Sequence, residues 1–438
     1  MSASAGLWRV SDMERRSIAI VGGGCSGALA ALNLLRRGTP VQVHLIEPRG
    51  TVGVGLAYST GCPHHLLNVP AGGMSIFPDA PNDFVDWLGH GANRDDFAPR
   101  AMFGRYVADR LEAACRQARV LVRHRTEALD IERQGLRAIV HLNGGRRVEA
   151  DFVVLALGNF ARSLPLFEPA WKSGALDVPY RDSAVAMAGS GLTAVDAYVA
   201  LRANGHRGVV HMISPRGLLP EAHVRSKCTG LAISWKAARL RTLVREVREQ
   251  SEQGDWRDVI ASLRGATNEL WGRLSPADRA RFFRHVKPYW DVHRHRMAPE
   301  VARMIADGRQ NGSLQVHAGR VQEVVRARNG LEIDVRLRSQ SSLQLCVQRA
   351  INCTGSEHDY RRVESPLLRS LFQKGWLTPG TLGFGVRTNE DGAILDWLYA
   401  LGPMRIGGLL ETTAVPEIRV QAARLAATLS ADRTAAAA

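Results

Sequence analysis

An α/β protein is predicted, made of two Rossmann-like units of the three-layer ββα type with a helical insertion, and three observations predict it. A short apolar run enters the glycine-rich segment VGGGCSG near the start, and a second apolar run enters AGSGLTAVDA near residue 190. Between the second of these and a later set of strand patterns lies a long block whose apolar residues recur at helical spacing.

Taken in order, Ile18 to Val21 reads as a strand, VGGGCSG as a tight turn, and the small residues to about Arg37 as a helix. VQVHLIE, ending at Glu47, is the next strand, so the whole is a βαβ unit. Thr51 to Ser75 is rich in Gly, Pro and polar residues and is long for a connection, which marks it as a functional loop. Helical spacing resumes at Asn82 to Leu88 and at Ala101 to Ala118. VLVRHRTEAL, RAIVHL and FVVLALG, between residues 120 and 158, read as strands of a small meander. A second βαβ unit runs from Ala184 to Gly217, and residues 227 to 308 read as mainly helical. Strand patterns return in SLQVHAGRVQEVVRARNGLEIDVRLR and QRAINCTG. If the strands after about residue 315 rejoin the first unit, that unit is discontinuous: residues 1–170 and 318–438 form it, and residues 171–317 form the second unit with its helical insertion.

The 438 residues suit two or three compact units, and 45% hydrophobic with 23% charged residues is ordinary globular usage. The net charge of +15 favours an anionic partner such as phosphate or carboxylate. Basic residues are scattered among acids, with no zinc-finger, basic-zipper or RNP pattern, which disfavours nucleic acid as a partner. The six cysteines, Cys25, Cys62, Cys115, Cys228, Cys346 and Cys353, contain no CxxC, and the first residues lack the apolar core of an export signal. A reducing cytoplasmic setting is therefore expected. Ser17 to Leu35 is uncharged, but its four glycines and Asn33 fit a strand, turn and buried helix better than a membrane span.

The chemistry resides in the glycine turns. Gly22, Gly24 and Gly27 form GxGxxG between strand and helix: one glycine for the turn, one for close approach of the backbone to a pyrophosphate, one for helix packing. The helix N-terminus offers free amides to phosphate, and Glu47, 20 residues after Gly27, is placed to bind ribose hydroxyls. Gly189, Gly191 and Ala194 repeat the pattern as GxGxxA. Where the first unit has Glu47, the second has Ser214, followed by Pro215 and Arg216; no carboxylate repels a 2′-phosphate there, so NADPH is favoured over NADH. LALGN and INCTG end strands at Gly158 and Gly355, suited to lie beside the nucleotide loops. Thr412 and Thr413, ahead of Pro416 and Glu417, mark a helix entry whose positive end can face a flavin. In KPYWDVHRHR, His293, Arg294, His295 and Arg296 form a dense cationic group able to grip a carboxylate or phosphate.

Together VGGGCSG, GVGLAYST, HLLNVPAGGMS, AGSGLTAVDA, HMISPRGLLP, RFFRHVKPYWDVHRHRMAP, INCTG and YALGPMRIGGLLETTAVPEIR resemble bacterial FAD/NAD(P)-binding proteins of the NAD_binding_9 type, related to flavin-dependent N-hydroxylating monooxygenases. The resemblance spans nearly the whole chain. It implies FAD at the first turn, NADPH at the second, and His65, Asn68 and Met74 near the isoalloxazine. With the cationic run, it makes His65, Asn68, Arg294 and Arg296 the catalytic candidates in an oxidoreductase acting on a small amine or amino acid, for which the excess of cations favours a carboxylate. Electron delivery without oxygen insertion, or flavin binding without turnover, are the alternatives. No HExxH or similar ligand spacing is present beside His64 and His65, so no metal is expected.

Overall fold

The computed structural model describes residues 15–431, apart from 39, 119, 179, 225–232 and 234. The first unit is a five-stranded, all-parallel sheet in the order Leu398–Ala400, Phe152–Leu155, Arg16–Val21, Val41–Ile46, Leu121–His124. Continuous apolar runs such as Ile18–Val21 and Phe152–Leu155 are buried along their length, as strands covered on both faces require. One face carries the helices Cys25–Arg36 and Val415–Ser430, which pack on each other, with Ala28, Ala31, Ala422 and Leu425 buried in the shared core. The other face carries an antiparallel meander, Ala128–Gln134, Arg137–Leu142 and Arg147–Ala150, completing the three ββα layers. The run VLVRHRTEAL divides between two sheets. Leu121–His124 pairs in the parallel sheet and Ala128 opens the meander.

The second sheet has seven strands, ordered Ser342–Val347, Gly330–Leu337, Leu314–Ala327, Val210–Ser214, Val185–Ala188, Arg349–Asn352, Glu168–Pro169. This differs from the expected division at residues 317 and 318. Leu314–Ala318 pairs in parallel with Val210–Ser214, and the same 14-residue strand continues without a break into the antiparallel hairpin with Gly330–Leu337. A continuous strand carries its pairing with it, so everything to Asn352 stays in the second sheet. The chain returns to the first unit only afterwards, with the helix Pro366–Gln373, the strand Leu398–Ala400 and the helix Val415–Ser430, all of which contribute to the first core.

The helical block between Leu240 and Gln310 contains the helices Leu240–Gln253, Trp256–Leu263, Thr267–Arg273, Lys287–Arg294 and Pro299–Gln310. It docks on the C-terminal segment: Trp271 Nε1 donates to Gly407 O at 2.9 Å, and Asn268 exchanges hydrogen bonds with Leu410 and Glu411. Among the described residues no helix is long and apolar enough to cross a membrane.

Candidate functional site

The two glycine turns have the same backbone construction. Gly22 lies at φ +102° and Gly189 at φ +115°, the left-handed region that side-chain-bearing residues avoid. A Cβ on Gly22 would stand 2.3 Å from Ala156 O, and one on Gly189 would stand 2.3 Å from Cys353 O. Each turn is therefore pressed against the end of a neighbouring strand, in LALGN for the first and INCTG for the second. Matching hydrogen bonds hold them: Gly22 N donates to Ile46 O and Gly189 N to Ile213 O, while Ala156 N donates to Val21 O and Cys353 N to Ala188 O. Gly158 and Gly355, just beyond, have positive φ and open space on the side where a Cβ would stand.

Each turn feeds a helix capped by glycine, Gly24 or Gly191, with no side chain bonded to its first-turn amides. An uncapped N-terminus leaves donors and a positive dipole end for an anion. Gly27 is the packing glycine, since a Cβ on it would meet Gly22 O at 1.8 Å. Gly24 faces Gly55 from the long loop, and a methyl on either would approach the other's backbone to 3.3 Å. Around Gly191 there is open space.

The turns differ in what braces them. Glu47, almost fully buried, accepts from Gly23 N at 2.9 Å through Oε2 and from Arg49 N and Nε through Oε1. In the second turn Ser190 Oγ donates to Leu218 O at 2.5 Å and meets Ser214 Oγ at 2.7 Å, so hydroxyls stand where the first turn has a carboxylate. Arg216 lies beside that serine, its Nη2 on Arg284 O at 3.1 Å and its guanidinium 5.7 Å from the Tyr289 ring.

Residues 19–160 match the NAD_binding_9 family model, described as FAD-NAD(P)-binding. That stretch contains the first glycine turn, Glu47 and the LALGN strand end, and it is where the resemblance read from the sequence begins. No curated protein sequence matches the chain. Among solved structures, an ornithine N-hydroxylase from Kutzneria sp. 744 is 16% identical with a TM-score of 0.66, covering 95% of this chain and 99% of that one. An L-lysine 6-monooxygenase from Pseudomonas syringae is 15% identical with a TM-score of 0.63, covering 96% and 100%. A bacillithiol disulfide reductase from Staphylococcus aureus is 15% identical with a TM-score of 0.59, covering 95% and 98%. What these share with the chain is the fold of two Rossmann-type units, and they differ in reaction.

The remaining sequence-derived residues fall into three groups. His65 is buried: Thr60 Oγ1 donates to its Nδ1 at 2.7 Å, and its Nε2–H donates to Asp196 O at 2.8 Å. Burial holds its pKa below the usual histidine value. Asp196 also takes Arg100 at 2.8 Å, so His65, Arg100 and Asp196 tie the first unit's loop and long helix to the second unit's first helix. Arg100 belongs to no motif, and Asp196, although it lies inside AGSGLTAVDA, carries no signal there that points to a partner in the first unit. Asn68 contributes its backbone carbonyl, which accepts from His223 Nε2 at 3.0 Å. Met74 is buried in the first core, and His64 lines a cleft of about 440 Å³ against the C-terminal end of the helix Leu192–Ala203.

The cationic run at 293–296 does not converge on one point. Arg294 turns inward to Glu411 at 3.4 Å and Glu417 at 3.7 Å, with its side chain only 10% exposed. Arg264 Nε adds a bond to Glu417 at 3.0 Å. Burial pushes the Glu411 carboxyl up, and Arg294 beside it opposes the shift. His293 Nδ1 donates to Tyr289 O, and burial brings His295 down to about 3. The helix ends at Arg294, and His293 and Arg296 both pack on Trp256, with ring centroids 4.7 Å apart for His293 and the Arg296 guanidinium 5.8 Å from the ring, away from the carboxylates that take Arg294. Thr412 is fully buried and donates to Gly402 O at 2.7 Å, whereas Thr413 is exposed; the last helix begins at Val415 with Pro416 in its first turn and no side-chain cap. Among the described residues no group of His, Cys, Asp and Glu is arranged to hold a metal ion.

Proposed function

We propose that the chain binds FAD at the Gly22–Gly27 turn and NADPH at the Gly189–Ala194 turn, and that it is a flavin monooxygenase oxygenating the nitrogen of a small amine or amino acid. One observation carries this reading: a single chain holds two turns of identical backbone construction, each opening onto an uncapped helix with open space beside its strand end. Two such cradles suit one dinucleotide each. The overlay of nearly the whole chain on ornithine and lysine N-oxygenating enzymes supports the choice of reaction.

When bound, FAD supplies hydride acceptance from the nicotinamide and delivery of one atom of dioxygen to nitrogen. The protein's part is binding and orientation. Amides of Cys25, Ser26 and Gly27 are the donors for the flavin pyrophosphate, with Glu47 at the ribose. At the second turn, Ser214 leaves room for a 2′-phosphate and Arg216 supplies its counter-charge, so NADPH is preferred to NADH. The first-turn amides of the helix Val415–Ser430 present a positive dipole end to the flavin. Contacts among His65, Arg100 and Asp196 fix how the two cradles face each other. His65 acts here as a positioning residue, its ring nitrogens both engaged. The net charge of +15 favours a substrate carrying a carboxylate, and a cytoplasmic setting supplies NADPH.

The likeness to a disulfide reductase favours a second reading, electron transfer to a disulfide. Its weakness is the thiol: burial pushes Cys25, at the first turn, up to about 12, and the five described cysteines are all free. The two readings separate in one experiment. The purified yellow protein is mixed with NADPH, and flavin bleaching and oxygen uptake are followed over a panel of amines, amino acids and disulfides. A monooxygenase consumes oxygen in proportion to an N-oxygenated product. Anaerobic turnover on a disulfide without oxygen uptake would overturn the proposal.

A further inference from the structure

The helical insertion encloses a cavity of about 690 Å³ that the flavin and nicotinamide reading does not use. That volume is in the range of small-molecule sites. Its walls come from the helices Leu240–Gln253, Trp256–Leu263, Thr267–Arg273 and Lys287–Arg294, with Leu410 as a floor. Leu240, Leu243, Val244 and Val247 make an i, i+3, i+4, i+7 stripe on the first helix, yet only Leu240 is fully buried; the rest of the stripe faces the cavity. Two separate apolar clusters, one around Val259 and Leu263 and one around Trp271 and Phe282, flank the space without filling it.

The wall is also stripped of polar partners. Ser251 Oγ donates to Val247 O, Thr267 Oγ1 to Leu263 O and His293 Nδ1 to Tyr289 O, each within its own helix or at its start, so these polar residues turn their hydrogen bonds away from the cavity. Trp271 directs its N–H outwards to Gly407. A π-helical turn at Phe282–Val286 brings Phe282, His285 and Val286 to the wall, and such turns recur at functional sites. Among the lining residues whose side chains carry no such internal bond are Arg248 and His285, both exposed. A carbon-lined interior with the Arg248 guanidinium and the His285 imidazole at its rim is complementary to an apolar body ending in an anion.

We infer that this cavity binds an amphipathic carboxylate, a straight alkyl chain of roughly eight to twelve carbons lying along the Leu243–Val247 stripe with its carboxylate at Arg248 and His285. Binding there needs no nicotinamide and no turnover, so it stands or falls independently of the reaction proposed above. The test is calorimetric titration of the purified full-length protein with hexanoate, octanoate, decanoate and dodecanoate below their micellar concentrations, alongside decanol and decylamine. Saturable one-to-one binding is expected, tightening about fourfold per added methylene until the cavity is full, with decanoate tighter than decylamine. Val247→Trp, which puts an indole across the Leu243–Val247 stripe, is expected to weaken decanoate at least tenfold while flavin content and melting temperature stay close to those of the parent. Should that variant fail to fold, Val244→Asn puts an amide on the same wall and is expected to weaken decanoate at least tenfold. Arg248→Glu is expected to weaken decanoate and leave decanol unchanged. Affinity independent of chain length, or decanoate binding unaltered in Val247→Trp or Val244→Asn, would overturn the assignment.

Discussion

The two glycine turns are built alike in backbone and unlike in bracing. In both, a left-handed glycine packs on a neighbouring strand end and hands the chain to an uncapped helix. In the first, a buried carboxylate fixes the turn through Gly23 N; in the second, hydroxyls of Ser190 and Ser214 do so. A carboxylate accepts hydrogen bonds from sugar hydroxyls and repels phosphate, while hydroxyls with Arg216 beside them tolerate phosphate. Under the proposed assignment, the shared backbone geometry holds a dinucleotide and the bracing residue distinguishes FAD from NADPH.

The most damaging way to break the likeness is to place a side chain on the first glycine of each turn. Gly22→Val is expected to lower FAD affinity about 100-fold, giving a colourless preparation. Gly189→Val is expected to leave the protein yellow and slow flavin reduction by NADPH to a similar degree, measured by anaerobic stopped-flow absorbance. If both variants lose flavin equally, the two turns do not serve separate cofactors.

The bracing residues sharpen the contrast. Glu47→Ala strands Gly23 N and leaves Arg49 without its carboxylate, and is expected to destabilise the fold by about 1–3 kcal/mol and to weaken FAD, read by flavin release on heating. Ser214→Ala removes a neutral partner and is expected to cost about 1 kcal/mol with flavin retained. Arg216→Ala is expected to raise KM for NADPH about tenfold with KM for NADH unchanged; an equal change for both would remove Arg216 from phosphate recognition.

A smaller parallel lies in the sheets. His44 stacks on His124 in the first unit and His211 on His317 in the second, each pair with ring centroids 5.3 Å apart. Burial lowers all four pKa values, His211 to about 4, with the neighbouring histidine adding to the shift for His44 and His211. A histidine depressed in the folded state takes up its proton more readily when unfolded, so stability is complete above about pH 6.5 and falls as the pH drops towards 4. His211→Gln is expected to flatten that loss, by on the order of 1 kcal/mol after solvent screening, in melting temperatures recorded from pH 7 to pH 4.5. No flattening would mean that the pair does not set the acid limb.

The sequence by itself determined both turns, the βαβ units around them, and the contrast between Glu47 and Ser214, because these depend on residues within about 30 positions of one another and on the few side chains that a tight turn and a phosphate tolerate. It could not reveal which sheet receives the strands after Leu314, because hairpin strands have the same alternating pattern in either sheet; the unbroken strand Leu314–Ala327 decided that. Nor could it separate Arg294, drawn inward by Glu411 and Glu417 more than 100 residues away, from His293 and Arg296, which pack on Trp256. His65 likewise takes its role from Asp196, a residue 131 positions distant whose backbone carbonyl carries no sequence signal. Local backbone chemistry is written in neighbouring residues; the partners of buried charges and the cavities between helices exist only once distant segments have packed.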